Sequence, residues 1–171
     1  RKIDNKVILY VLNGLEKNKL DIFKKYKLIP ILISNEEVIL YLKSKFYNTN
    51  FKIGLHIDTG LNRLGIKLDD KSKKIIKGIN IEILISHLSS SDEINKYNQK
   101  QNLKFKDSFT YFNSIKYKSL SASHGIVNDK EFHHSMVRPG ISLYGGYSKI
   151  NINKKLKIKN VVSLKGKILQ I

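Results

Sequence analysis

Residues 56–65, His56-Ile57-Asp58-Thr59-Gly60-Leu61-Asn62-Arg63-Leu64-Gly65, decide how this chain is read. The apolar run Phe51 to Ile57 ends inside them, and Ile75, Ile76 and Ile79 follow at helical spacing. Between strand and helix lies a turn bounded by two glycines, with an arginine inside it. Lys and Arg together number 32, yet only Arg1, Arg63 and Arg138 are arginines. A chain that uses lysine almost everywhere has placed a planar, permanently charged fork at the end of a strand.

The same alternation extends to both sides. Val7 to Val11 is a first β-type run, followed by a helical face with Leu20 and Phe23. Leu28 to Ile33 is a second run, after which Val38, Leu42 and Phe46 form a four-residue stripe. Ile81 to Ile85 is a fourth; Ser90 and Glu93 then have capping-box spacing, and Ile94, Tyr97, Phe105, Phe109 and Phe112 mark a long helix. Tyr117 to Ala122 gives a weaker fifth run, and Ser135 to Val137 a short sixth. Near-continuous apolar strands alternating with helices predict an α/β fold on a parallel sheet. From Lys157 onward, two β-like pieces surround Gly166 with no helix between them. We therefore expect one domain over residues 1–150, and a linker with the start of a β-rich domain over 151–171.

Composition narrows the class. An apolar content of 41% suits a globular chain, and no apolar run approaches the roughly 18 residues of a membrane span. Without cysteine there are no disulfides and no thiolate metal sites; no metal site is expected. The formal net charge of +18 invites a nucleic-acid-binding, non-enzymatic reading. That reading is disfavoured, because the lysines are dispersed over solvated faces and no basic stripe interleaves with aromatics. No signal-peptide pattern opens the chain, which predicts a cytoplasmic setting. The chain starts at Arg1 and its one methionine is Met136, so a segment of a longer protein is expected.

The polar residues then fall into place. Asp58 and Arg63 follow the third strand, His87 the fourth, Ser123 and His124 the fifth, and Arg138 the sixth. All lie at C-terminal strand ends, the rim on which barrels and open α/β sheets build their sites. A lone strand-end histidine is usually structural and a lone arginine usually a surface ion pair, but four successive rim positions point to a shared site. His133 and His134, on a polar connection, read as structural or exposed.

"HIDTGLNRLG", "ISHLSSSDE", "SASHG" and "MVRPGISLYG" occur in the order and spacing of motifs in bacterial alanine racemases, and from about Val7 onward the chain resembles that family. The resemblance implies a (β/α)₈ TIM-type barrel, of which about six βα units are present, followed by a β-rich domain. It implies a homodimeric enzyme that uses pyridoxal 5'-phosphate to interconvert L- and D-alanine for peptidoglycan synthesis. A related racemase or decarboxylase of the same barrel type is the alternative.

In this resemblance Arg63 reaches the cofactor's phenolic oxygen and the carboxylate of alanine. Arg138 donates to the ring nitrogen, and His87 hydrogen-bonds Arg138. Gly140 and Ile141 offer backbone N–H groups to the phosphate. Ser123 and His124 stand where the family carries asparagine and serine, so either side chain is a candidate phosphate ligand. His56 replaces the lysine that braces the first arginine in many members. The Schiff-base lysine and the second base, a tyrosine of the partner subunit, are expected outside this segment, which alone should be inactive.

Overall fold

A computed structural model describes residues 4, 6–17, 19–146 and 158–170. Five strands, β1 (Leu9–Val11), β2 (Leu28–Leu32), β3 (Gly54–His56), β4 (Asn80–Ile85) and β5 (Ser114–Ser119), alternate with five helices. The helices are α1 (Leu20–Lys25), α2 (Asn35–Leu42), α3 (Asp70–Ile76), α4 (Lys96–Asp107) and α5 (Ser123–Asn128). All four strand pairings are parallel and the order in the sheet is β1-β2-β3-β4-β5. A doubly wound sheet reverses its order at a switch point. Consecutive order without reversal is that of a barrel segment wound in one direction.

Register sorts the side chains onto two faces. Leu32, Leu55 and Leu84 lie in one row, and they join Val38 and Tyr41 of α2, Ile76 of α3 and Phe105 of α4 in the main core. The adjacent row holds Ile31, Gly54, Ile83 and Tyr117, whose neighbours form a smaller cluster with Ile85, Tyr10 and Met136. Because side chains alternate along strands, these rows face opposite ways. Gly54 is dictated by this packing: a Cβ there would meet the Ile31 side chain and lie 2.6 Å from Ile83 Cγ2.

Local chemistry sets the helix starts. Ser34 accepts from Glu37 N–H at 3.3 Å, Asp69 from Ser72 N–H at 2.7 Å, and Asn95 from Tyr97 and Asn98 N–H at 3.0 and 3.1 Å. The last cap corrects an expectation, since Ser90 and Glu93 form a backbone turn (3.0 Å) upstream of α4 instead of a capping box. Asn95 wins because its carboxamide reaches two of the orphan N–H groups.

Two further expectations are adjusted. The fifth strand begins at Ser114, ahead of the expected Tyr117, because Lys116 and Lys118 interrupt its apolar reading while its backbone still pairs with β4. The sixth forms no strand of its own. Ser135 and Met136 N–H donate to Lys118 O, and Ala122 and Arg138 form one parallel bridge; Pro139, which lacks an N–H, then ends the ladder. Residues 158–170 contain no strand, and Val161, Val162, Leu164, Ile168 and Leu169 are exposed. A β-patterned piece needs a sheet to join. Residues 151–157, which open the stretch expected to hold the linker, lie outside the described residues.

Candidate functional site

The ends of β3, β4 and β5 bring His56, Ser86, His87 and Ser119 to one rim, and the 122–138 bridge adds Arg138 to it. Arg138 N–H first fixes the backbone by donating to Ser121 O at 2.9 Å. Nη1 then donates to Ser119 O and Oγ at 2.7 and 2.6 Å, while Nη2 donates to Ser86 O at 2.6 Å and Leu120 O at 3.5 Å. All of these acceptors are neutral. Burial pulls the guanidinium down to about 10, still charged at neutral pH.

Burial, reinforced by that charge, sets the state of the two histidines. His56, 7% exposed, is pushed down to about 4, by burial first and then by Arg138 and His87. His87 is pushed down to about 4 by burial, Arg138 and Arg63. Both imidazoles are neutral at pH 7. The expected hydrogen bond between His87 and Arg138 is not formed among the described residues. The guanidinium is already committed to strand-end carbonyls, so His87 meets it only through space.

Arg63 projects from a turn built by the residues around it. Asp58 Oδ1 accepts from the N–H groups of Gly60 (2.9 Å), Leu61 (2.9 Å) and Asn62 (3.1 Å), with Asn62 left-handed at φ 56°. Asp58 N–H to Ile66 O and Ile66 N–H to His56 O then close the turn at 3.0 and 2.8 Å. Gly65 (φ 112°) makes that closure possible, since a Cβ would stand 2.8 Å from Asp58 N and 3.1 Å from His56 O. Arg63 itself is exposed, and among the described residues its side chain makes no hydrogen bond or ion pair. His56 does not brace it.

A second cluster lies at the start of α5. The Ser123 hydroxyl oxygen receives Gly140 N–H at 2.8 Å, Ser142 N–H at 3.2 Å and Ser142 Oγ–H at 3.2 Å. Three donors therefore converge on one small oxygen. Ile141, expected to offer its N–H to a phosphate, lies between these two donors and is 58% exposed. His124 flanks Ser123, half-buried, and takes no part in these bonds.

Sequence reasoning missed Ser142, Ser119 and a buried hub. Gln101 of α4 is fully buried, and its Nε2 donates to Thr59 Oγ1 (3.3 Å) and His87 O (3.1 Å). Its Oε1 accepts from Ser89 N–H and Oγ–H at 3.0 and 3.1 Å, and Thr59 and Ser86 share a 2.8 Å hydroxyl contact. The available signal was an uncharged polar residue four positions before Phe105, on the helix face that packs inward. His133 and His134 are structural. His133 Nε2 lies 2.7 Å from Ile126 O, and the His134 ring lies edge-on to Phe105 and Phe109 with Nε2 2.8 Å from Asn102 Oδ1.

A consecutively wound parallel sheet with cationic and hydroxyl side chains on its C-terminal rim defines a partial (β/α) barrel carrying a rim site. Residues 2–148 match the family described as alanine racemase, N-terminal domain, and the chain belongs to that family. The alanine racemase of Rickettsia bellii is 36% identical over 179 residues, covering 100% of this chain and 43% of the relative. That of Rickettsia typhi is 34% identical, covering 93% and 41%. The chain thus spans less than half the length of these relatives. Among solved structures, the alanine racemase of Bartonella henselae with covalently bound pyridoxal phosphate superposes with a TM-score of 0.77 at 26% identity, over 90% of this chain and 46% of that one. An alanine racemase of Clostridium difficile gives 0.75 at 23% identity, over 90% and 43%. Among the described residues no helix is long and apolar enough to cross a membrane.

Proposed function

We propose that this chain is the barrel portion of an alanine racemase and that its rim holds pyridoxal 5'-phosphate. The observation that carries the reading is the fixed guanidinium of Arg138, locked onto β4 and β5 by four bonds that all use Nη1 and Nη2. Its Nε–H edge is left for a ring nitrogen.

The residues fit the cofactor. Gly140 N–H, Ser142 N–H and Ser142 Oγ–H converge on one oxygen, an arrangement suited to a phosphate, with Ser123 as a further donor and His124 beside it. Arg63, without a side-chain partner among the described residues, offers a planar fork to the phenolic oxygen of the cofactor and the carboxylate of alanine. When bound, the cofactor delocalises the electron pair left as the α-proton of the amino acid departs. Arg138, which keeps its proton, would hydrogen-bond the ring nitrogen without protonating it and so would moderate the chemistry that the cofactor supplies. His56 and His87, neutral, keep the rim free of further positive charge near Arg138.

Among the described residues no lysine belongs to the rim set, so we assign neither base to this chain and place both in the part of the relatives' length that it does not span. The same reading implies a cytoplasmic homodimer that supplies D-alanine for cell-wall synthesis. A decarboxylase reading is less well supported, because among the described residues no carboxylate stands among the partners of Arg138. The test is conversion of L-alanine to D-alanine by a chain extended to the relatives' length and loaded with pyridoxal phosphate. No conversion, with the cofactor bound, would overturn the proposal.

A further inference from the structure

Arg63 has no side-chain partner among the described residues, so only its backbone determines where the guanidinium points. The turn that carries it is held from outside by one face of α4. Tyr97 Oη–H donates to Gly60 O at 3.0 Å, and one helical turn later Gln101 Nε2–H donates to Thr59 Oγ1 at 3.3 Å. Gln101 also donates to His87 O and accepts twice from Ser89, so every hydrogen-bonding position on one buried amide is used to join the loops after β3 and β4. Asn98, between them, donates to Ser90 O and Glu93 O at 3.0 and 2.9 Å and fixes the second of these loops to the same helix.

We propose that Gln101 and Tyr97 are positioning residues that set the Arg63 turn against the His87 loop, and that substrate affinity depends on them although neither touches the ligand. The inference rests on the role assigned above to Arg63. A fully satisfied buried amide admits a single arrangement of its partners, because any shift strands a donor or acceptor away from water. The two loops therefore keep one relative placement, and a guanidinium with several rotatable bonds begins from a fixed Cα. Without the clamp, the Asp58 turn would still close locally but its orientation on the rim would be free.

The experiment is a double-mutant cycle in the full-length, cofactor-loaded protein, with amide exchange in the apoprotein as a second readout. Gln101→Ala is expected to raise KM for L-alanine about tenfold with kcat nearly unchanged, and to do nothing further to KM in an Arg63→Ala background, as expected of residues acting through one network. Exchange at Gly60, Leu61 and Asn62 should quicken while β4 stays protected. Should Gln101→Ala fail to fold, Tyr97→Phe, which removes one hydroxyl from a partly exposed ring, should give the same pattern at about threefold, the share of a single hydrogen bond. Equal effects of the Gln101 variant with and without Arg63, or a lowered melting temperature with KM intact, would overturn the inference while leaving the racemase reading in place. If Arg63→Ala leaves KM unchanged, the role of Arg63 falls and this inference falls with it.

Discussion

Arg138 Nη2 donates to the backbone carbonyl of Ser86 across 2.6 Å, joining residues 52 positions apart in the chain. Carbonyls at the C-terminal ends of parallel strands have run out of ladder partners, and buried ones must be satisfied by something else. Here a single guanidinium satisfies carbonyls beyond both β4 and β5, so the residue proposed to face the cofactor also closes the rim. The four bonds that close the rim also fix where the charge stands.

This double role makes Arg138 a stability determinant. Arg138→Met would strand the Ser86 carbonyl and take a charged donor from both Ser119 oxygens, of which the carbonyl would keep Ser86 N–H at 3.1 Å, and should cost roughly 2 to 4 kcal/mol of unfolding free energy. Arg138→Lys should recover only part of that, since an ammonium cannot reproduce a planar fork. Urea denaturation checks both, and a methionine variant within about half a kcal/mol of the parent, the range of an ordinary surface change, contradicts the account.

His56 and His87 titrate near 4 in the folded protein, against about 6.5 when unfolded. Between those values the unfolded chain binds protons that the folded one refuses, so stability falls as pH is lowered from about 6.5 toward 4 and is unaffected by these groups above it. For His56, which is almost fully buried, the loss is on the order of 2 to 3 kcal/mol over that window. His56→Gln, which does not titrate, should flatten the decline between pH 6.5 and pH 4.5. An equally steep decline would show that other groups cause it.

The fold was legible because βα alternation is written in apolar periodicity: Leu28 to Ile33 and Ile81 to Ile85 contain β2 and most of β4. β5 was displaced because Lys116 and Lys118 carry the pattern of a surface while the backbone follows β4. The rim residues were legible as types at strand ends. Their partners were not, because hydrogen bonds such as Arg138 to Ser119 or Gln101 to Thr59 depend on register between segments that no local window contains. Ser142, whose N–H and hydroxyl both reach Ser123, is the same limit at finer scale: only the turn geometry brings it there.

The turn that presents Arg63 depends on Gly65. With φ at 112° and Asp58 N 2.8 Å from where a Cβ would stand, Gly65→Ala should cost roughly 2 to 3 kcal/mol from backbone strain and crowding. Because the strain acts on the closure between Asp58 and Ile66, KM for alanine should rise as well. Thermal melts and steady-state kinetics on one preparation report both effects, and a stable variant with unchanged KM would detach this glycine from the site.

The phosphate cradle gives the last test. In the structure the Ser123 oxygen is the common acceptor of Gly140 N–H, Ser142 N–H and Ser142 Oγ–H. A phosphate oxygen accepts such bonds more strongly than a neutral hydroxyl, and in taking them it would free Ser123 O–H to donate as well. Ser123→Ala and Ser142→Ala each remove one charge-assisted bond and should each weaken pyridoxal phosphate binding about tenfold or more. His124 sits beside the cluster without entering it, so His124→Ala should change affinity by less than about threefold, in the range of a side chain outside the network. Titration of pyridoxal phosphate into the three apoproteins ranks them directly. A larger loss for His124→Ala than for Ser123→Ala would move the phosphate to the histidine, and unchanged affinity in both serine variants would place it elsewhere on the rim.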